Sequence, residues 1–262
     1  MPTKSRKSAP EEPARPPELD PRTTSPVLRA LLSDLAFDPE DPSQGALLML
    51  RARVTGTAGD GRDAERSRRA LDWLVRSFTA ECVEATGMLL EARRLRTLSA
   101  IVNPVSAQAA QRTLGEVLAS QQRYASKVSE QLRAPLQLKG AGPEAESVWS
   151  SAVDAVEEVG RGPAFRSIEA AAVRGARHSA GELADQAGWS IAVSTAEMAV
   201  QSTMWESARP EIHVLGKAPF GAGSGPKVID AARRASEQRW RTLVQAVSAS
   251  YLGLLATLIA PS

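Results

Sequence analysis

The sequence contains one cysteine and two histidines in 262 residues, and aromatic side chains make up only 4% of it. A single thiol cannot form an internal disulfide, which favours a reducing cytoplasm. Neither His178 nor His213 has a histidine, cysteine or glutamate at the spacing of metal ligands. We therefore expect no disulfide framework, no metal or cofactor site and no catalytic residue.

A concentrated charge of one sign is also missing, since the net charge is +2. Non-specific nucleic-acid binding needs a strongly positive face. Residues 60–98 are rich in arginine, but their eight basic side chains stand beside seven acidic ones. The arginines are Arg62, Arg66, Arg68, Arg69, Arg76, Arg93, Arg94 and Arg96. We interpret the region as a solvated helix face with i,i+4 ion pairs and expect no nucleic-acid partner.

Apolar residues form 43% of the chain, and alanine and arginine, both strong helix formers, are prominent. The composition and the periodicity predict an all-α fold, a multi-helix bundle with long alanine-rich helices. The predicted long helices cover 62–86, 105–134, 144–159, 163–208 and 226–260, and shorter ones lie near 26–35, 47–54 and 88–98.

The longest helical pattern runs from Pro163 to Trp205. Its inward positions recur at an average spacing of about 3.6 residues and are mostly small, which favours close packing in the middle of a bundle. They are Phe165, Ile168, Ala172, Ala176, Ala180, Leu183, Ala187, Ile191, Ser194, Met198, Ser202 and Trp205. Kinks are expected at Gly175, Gly181 and Gly188. Pro210 is predicted to end the helix, and residues 211–215 resemble a strand.

Two segments are predicted to be non-helical, one before the helical domain and one within it. Residues 1–24 are proline-rich and charged, which predicts a disordered tail without a secretory signal. Residues 25–262 are predicted to form one helical domain with a glycine-rich loop at 216–225. Its buried aromatic anchors are expected to be Trp73, Phe78, Trp149, Trp189 or Trp205, and Trp240.

The run Gly221-Ala-Gly-Ser-Gly-Pro-Lys227 is the strongest candidate for a phosphate loop, because it precedes a predicted helix. Pro226 removes a backbone N–H, however, and Val228 stands where a phosphate loop has a serine or threonine. We interpret the loop as a linker and keep a nucleotide binder or enzyme using 216–228 as an alternative. Cys82 and His178 are interpreted as structural residues of their helices.

Residues 242–262 carry no charge, and the run is long enough to cross a bilayer. Its larger apolar residues lie on one side, while Gln245, Ser248 and Ser250 interrupt the other, which favours a core helix. A membrane-associated protein held by this helix is the second alternative.

The segment from Leu71 to Pro104 has a Trp-Leu pair at residues 73–74, followed by Gly-Met-Leu-Leu-Glu-Ala-Arg-Arg-Leu from Gly87. It resembles a group of mostly uncharacterised alanine-rich helical proteins of actinobacteria and myxobacteria, some of which carry the label of immunity proteins. The resemblance covers about half of the chain and implies no catalytic residue. The chain departs from the group in its glycine loop at 216–225.

These observations favour a non-enzymatic, cytoplasmic module that binds another protein, as an immunity-type or scaffold partner. The motivation is the shortage of histidines, metal spacings and phosphate loops. A second copy of the chain is a further candidate partner.

Overall fold

The computed structural model describes residues 19–35, 43–137, 143–216 and 224–260. Within these residues the regular structure is entirely helical, so the predicted all-α fold is confirmed. The helices are α1 (Pro26–Leu32), α2 (Ser43–Arg53), α3 (Asp63–Trp73), α4 (Thr79–Ala85), α5 (Leu89–Arg96), α6 (Pro104–Arg133), α7 (Pro143–Gly160), α8 (Pro163–Gln186), α9 (Trp189–Ile212) and α10 (Ser224–Ile259). A π-helical turn, Leu74–Phe78, joins α3 to α4, and 3₁₀ turns cover Ala134–Gln137 and His213–Gly216.

Local capping chemistry explains several helix ends. The Ser25 hydroxyl accepts a hydrogen bond from the backbone N–H of Leu28 and starts α1. Asn103 and Ser106 form a reciprocal capping box at the start of α6, where Pro104 occupies the first turn. Gly87, with φ +85°, follows the end of α4 in a conformation that favours glycine.

The long pattern at 163–208 is two helices, because Gly188 adopts φ +73° between α8 and α9. Of the three expected kinks, the one at Gly188 is confirmed, and a distortion lies at Ala180, beside Gly181. The break resets the helical phase. In α9 the predicted inward Ser194 is therefore exposed, whereas Ala192 and Ala196 are buried.

Gly175 lies inside α8 and allows close packing instead of a kink. A Cβ built at this position would lie 2.3 Å from Leu31 Cδ2, so only a glycine lets α1 approach α8 this closely. Ala171, Ala172 and Ala176 of α8 are fully buried as well. In α8 the stripe of small residues therefore allows the close helix packing that its composition predicts.

Two predictions near the end of α9 are wrong. Pro210 lies within the last turn of the helix rather than ending it, where the missing N–H costs a single hydrogen bond. The strand-like run 211–215 is the end of α9 and a 3₁₀ turn. Ile212 and Leu215, three residues apart, both point into the core, which is the spacing of a helix.

Two hydrophobic clusters hold the helices together. The larger one contains side chains of α1 to α5, the N-terminal halves of α6 and α9, α8 and the C-terminal half of α10. The smaller one joins α7, the C-terminal halves of α6 and α9, and the start of α10. Trp240 packs against both clusters. Trp73 and Phe78 are buried as predicted, whereas Trp149, Trp189, Trp205 and Trp240 are half-buried.

The predicted tail is only partly described. Residues 1–18 lie outside the described residues, but Thr24 is buried and the Thr23 carbonyl accepts hydrogen bonds from the N–H groups of Gly56 and Ala58. Residues 19–24, which the sequence assigned to the tail, therefore belong to the described structure. Residues 217–223 of the glycine-rich loop also lie outside the described residues.

Candidate functional site

A groove of about 680 Å³ lies between α3, the C-terminal half of α10 and the connector at 100–102. Its floor is largely apolar and includes Trp73, Ile101 and Leu254, while charged side chains of α3 form one rim. A concave surface of this size that combines apolar area with a few polar groups is a candidate ligand site. We call it the α3–α10 groove.

The floor is fixed by contacts around Trp73. The Trp73 indole Nε1 donates a hydrogen bond to Ser250 Oγ at 2.9 Å, and its ring lies 5.1 Å from the ring of Tyr251. The π-helical turn begins directly after Trp73, and the Thr79 hydroxyl donates to the Leu74 carbonyl at 2.8 Å. Single π-helical turns inside α-helices are frequent at functional sites.

The wall opposite α3 is the connector between α5 and α6. The Ile101 N–H donates to Asp72 Oδ1 at 3.1 Å, and the Val102 N–H donates to Ser106 Oγ at 3.0 Å. Ile101 is buried by this arrangement, whereas Val102 is 58% exposed at the rim. A fixed backbone thus presents an exposed apolar side chain beside an apolar floor.

Most charges on the α3 rim have partners. Arg69 pairs with Glu65 at 2.7 Å, and Arg76 pairs with Asp72 at 2.9 Å, both four residues apart as predicted. Arg68 is exposed and forms no ion pair or side-chain hydrogen bond with the described residues. It is the one rim cation that remains available to a ligand within the described part of the chain.

A second depression of about 290 Å³ adjoins the groove and shares Arg68 and Val102 with it. Its other wall is the distorted turn of α8, where Ala180 has φ −136° and ψ 32°. The Ser179 N–H donates to Ser67 Oγ at 3.1 Å, which ties this turn to α3. The two depressions therefore meet at Arg68 and Val102.

A smaller cavity of about 210 Å³ lies between α7, α8 and α9. Burial and the nearby Glu197 raise the pKa of the Glu169 carboxyl to about 7, although Arg166 opposes the shift. Glu157 accepts a hydrogen bond from the Gln201 amide at 3.1 Å. The Glu169 carboxyl can hold a proton near neutral pH, but the described residues contain no group of three or more acidic, histidine or cysteine side chains suited to a metal ion.

Below the groove, Arg66 is buried, which corrects the solvated-face interpretation at this position. Its guanidinium donates to both carboxylate oxygens of Asp60, at 2.5 and 2.7 Å, and its Nε donates to the Leu258 carbonyl at 3.3 Å. This partner lowers the pKa of Asp60, more strongly than burial raises it. Arg62 donates to the Ala260 carbonyl at 2.7 Å, so two arginines cap the end of α10.

Helix α10 is the one described helix that is long and apolar enough to cross a membrane, and half of its most apolar window is buried. Val247, Tyr251, Leu255 and Leu258 are buried in the larger cluster. The Tyr251 hydroxyl donates to the Leu31 carbonyl at 2.6 Å. In this fold α10 therefore packs as a core helix.

The remaining sequence-predicted candidates do not converge on a site. Cys82 is buried, and burial raises the pKa of its thiol, which keeps it protonated and inert. His178 is exposed beside Ser179 rather than buried, and His213 lies 3.0 Å from the Gln131 carbonyl. Ser224 already belongs to α10, so the described end of the glycine-rich loop is helical.

Comparison with protein-family models, with curated proteins and with solved structures finds no match to this chain. The resemblance to alanine-rich helical proteins therefore stays a prediction. The groove was not predicted from the sequence, since its α10 wall is separated from α3 and from the connector by about one hundred and fifty residues or more in the chain. The sequence held no signal for Arg68, because Glu65 and Asp72 stand three residues before it and four residues after it, and only the structure shows that they pair with Arg69 and Arg76 instead.

Proposed function

We propose that the chain is a non-enzymatic, cytoplasmic interaction module that binds a segment of another protein in the α3–α10 groove. The observation that carries the proposal is the groove itself, about 680 Å³ with an apolar floor and an exposed valine at its rim. Open apolar surface beside polar rims is characteristic of protein interaction sites. An immunity-type or scaffold role is the finer form of the proposal and draws on the resemblance of residues 71–104.

A competing surface lies on α5, where Leu89 and Leu90 are 61% and 75% exposed. These two leucines begin α5, and Arg94 of the same helix forms an ion pair with Glu116 of α6. These leucines offer exposed apolar area. The groove is preferred because its floor, wall and rim come from three separate elements that are fixed by hydrogen bonds.

The experiment is a quantitative co-purification from the native cells with two matched variants. Val102→Asp puts a charge at the groove rim, and Val214→Asp makes the same change at another exposed valine, outside the groove. We expect the partner to be lost from the Val102→Asp sample and retained with Val214→Asp. Equal recovery of every co-purifying protein with both variants would contradict the proposal.

Membrane association through α10 is the second candidate function, because that helix has the length and apolarity to cross a bilayer. It would require α10 to leave Arg62 and Arg66, whose partners include the Ala260 and Leu258 carbonyls. Flotation of the full chain with lipid vesicles tests it. Binding to vesicles that is abolished by deleting 242–262, in a truncated protein that keeps its helical circular-dichroism signal, would favour this candidate.

A further inference from the structure

We infer that the segment bound in the α3–α10 groove carries a carboxylate that pairs with Arg68, with apolar side chains on both sides of it. This inference rests on the proposed function and names the chemistry of the partner at the same site. It concerns an acidic, amphipathic stretch of polypeptide.

The charge balance of the rim selects an acid. Glu65 already pairs with Arg69 and lies 3.7 Å from Arg62, and Asp72 pairs with Arg76. Within each pair the two charges neutralise each other, so these side chains gain no further ion pair from a charged ligand. Arg68, which has no ion pair within the described residues, is left as the cation that a ligand carboxylate can reach.

The shape places that carboxylate between two apolar contacts. The groove and the second depression share Arg68 and Val102, so a ligand crossing from one to the other passes this point. On one side the ligand meets Trp73 and Leu254, and on the other it meets Ala64 and Leu183. An amphipathic segment with an acid between apolar residues matches this order.

The second depression also sets the orientation of the acid. Glu182 lies in its lining, accepts a hydrogen bond from the Gln186 amide at 3.5 Å and forms no ion pair with the described residues. A ligand carboxylate on that side would meet a like charge, which is destabilising. The acid of the partner therefore belongs at Arg68, and the part of the partner near Glu182 is neutral or basic.

The test uses a defined probe, a phage-displayed library of random twelve-residue peptides, selected on the purified full chain. Each selected peptide is synthesised, and its affinity is measured by fluorescence polarisation. Four variants are compared in pairs: Val102→Asp with Val214→Asp, and Arg68→Glu with Arg93→Glu. Arg93, on α5, is a matched control because it is also exposed and forms no side-chain ion pair with the described residues.

We expect peptides with an acidic residue flanked by apolar ones. Arg68→Glu should weaken them about tenfold, as expected for loss and reversal of an interface charge, and Arg93→Glu should not. Replacing the peptide acid by lysine should restore binding to Arg68→Glu. Equal effects of Arg68→Glu and Arg93→Glu would overturn the inference while leaving the groove intact.

The two failures can be told apart. If the selected peptides bind Val102→Asp as well as Val214→Asp, or if no peptide is selected, the groove itself is contradicted and the proposed function fails with it. If binding depends on Val102 but not on Arg68, only the acidic partner is wrong. Binding that depends on both residues supports the two proposals together.

Discussion

Two buried charged residues, Arg66 on the face formed by α3 and α10 and Glu169 on the face formed by α7, α8 and α9, have opposite electrostatic surroundings. On the first face the buried Arg66 meets Asp60, Asp63 and a helix carbonyl, so its charge is compensated. On the second face Glu169 is partly buried near another carboxyl, Glu197, and its pKa rises to about 7. We call the surroundings of Arg66 the compensated face and those of Glu169 the uncompensated face. Burial also raises the pKa of Glu81, which neighbours Ser250 of α10, to about 7, so the response to pH is not confined to the second face.

The largest expected effect is on the compensated face. Arg66→Met should lower the free energy of unfolding by ~4 kcal/mol, because two aspartates lose a buried partner. Arg69→Met is the control: that pair is half-exposed, and its loss should cost less than about 1 kcal/mol. Urea denaturation measures both. Equal losses for the two variants would show that Arg66 is not the buried anchor described here.

Trp240 tests the junction of the two hydrophobic clusters, since it packs against both and its ring centroid lies 5.5 Å from that of Phe165. Trp240→Ala should lower the free energy of unfolding by ~3 kcal/mol, toward the lower end for a large-to-small substitution because the side chain is only half-buried. A change below about 1 kcal/mol in the same urea melt would contradict its role at the junction.

The uncompensated face predicts a pH dependence. Because the folded pKa of Glu169 is about 7, above the usual 4.5, the folded state holds this proton more tightly than the unfolded state. The stability associated with that proton is complete below pH 4.5 and is lost as pH rises toward and through 7.

Glu169→Gln should remove the contribution of Glu169 to this dependence, leaving that of Glu81, and should gain about 2 kcal/mol over the native chain at pH 8. Glu197→Gln should weaken the dependence, since the raising charge is gone while Arg166, which lowers the pKa, remains. Urea melts of the three proteins between pH 5 and 8 measure the difference. Parallel curves for the native chain and Glu169→Gln would contradict the raised pKa.

The smallest effect concerns the groove. Val102→Asp should change the free energy of unfolding by less than about 0.5 kcal/mol, because the side chain is mostly exposed. Val214→Asp should behave alike. A loss of several kcal/mol with Val102→Asp would mean that the rim is part of the core, and the binding comparison between the two variants would then lose its meaning.

The sequence predicted much of the fold because helices are local structures. The small buried residues of α8 lie three or four positions apart, so their common face is visible in the sequence. The phase of α9 could not be predicted, because the left-handed Gly188 resets the pattern. The burial of Arg66 was also missed, since its carbonyl partner lies 192 residues away in α10.

The groove could not be predicted for the same reason. Trp73 and Leu254 have the sequence pattern of core residues, and only their meeting beside Val102 leaves open apolar surface. Sequence periodicity shows which side of a helix faces the core, but it does not show where the core-facing sides of two helices leave a groove open between them. The unpaired Arg68 becomes informative only after the pairs around it are known.

The most direct test of the central claim is site-specific photo-cross-linking in the native cells. A photoreactive phenylalanine analogue is placed at Val102, at Leu90 on α5 and at Val214, all exposed positions. The account predicts that one protein is cross-linked at Val102 and that the same protein is absent at Leu90 and Val214. A partner that cross-links at Leu90 but not at Val102 would contradict the groove as the binding site.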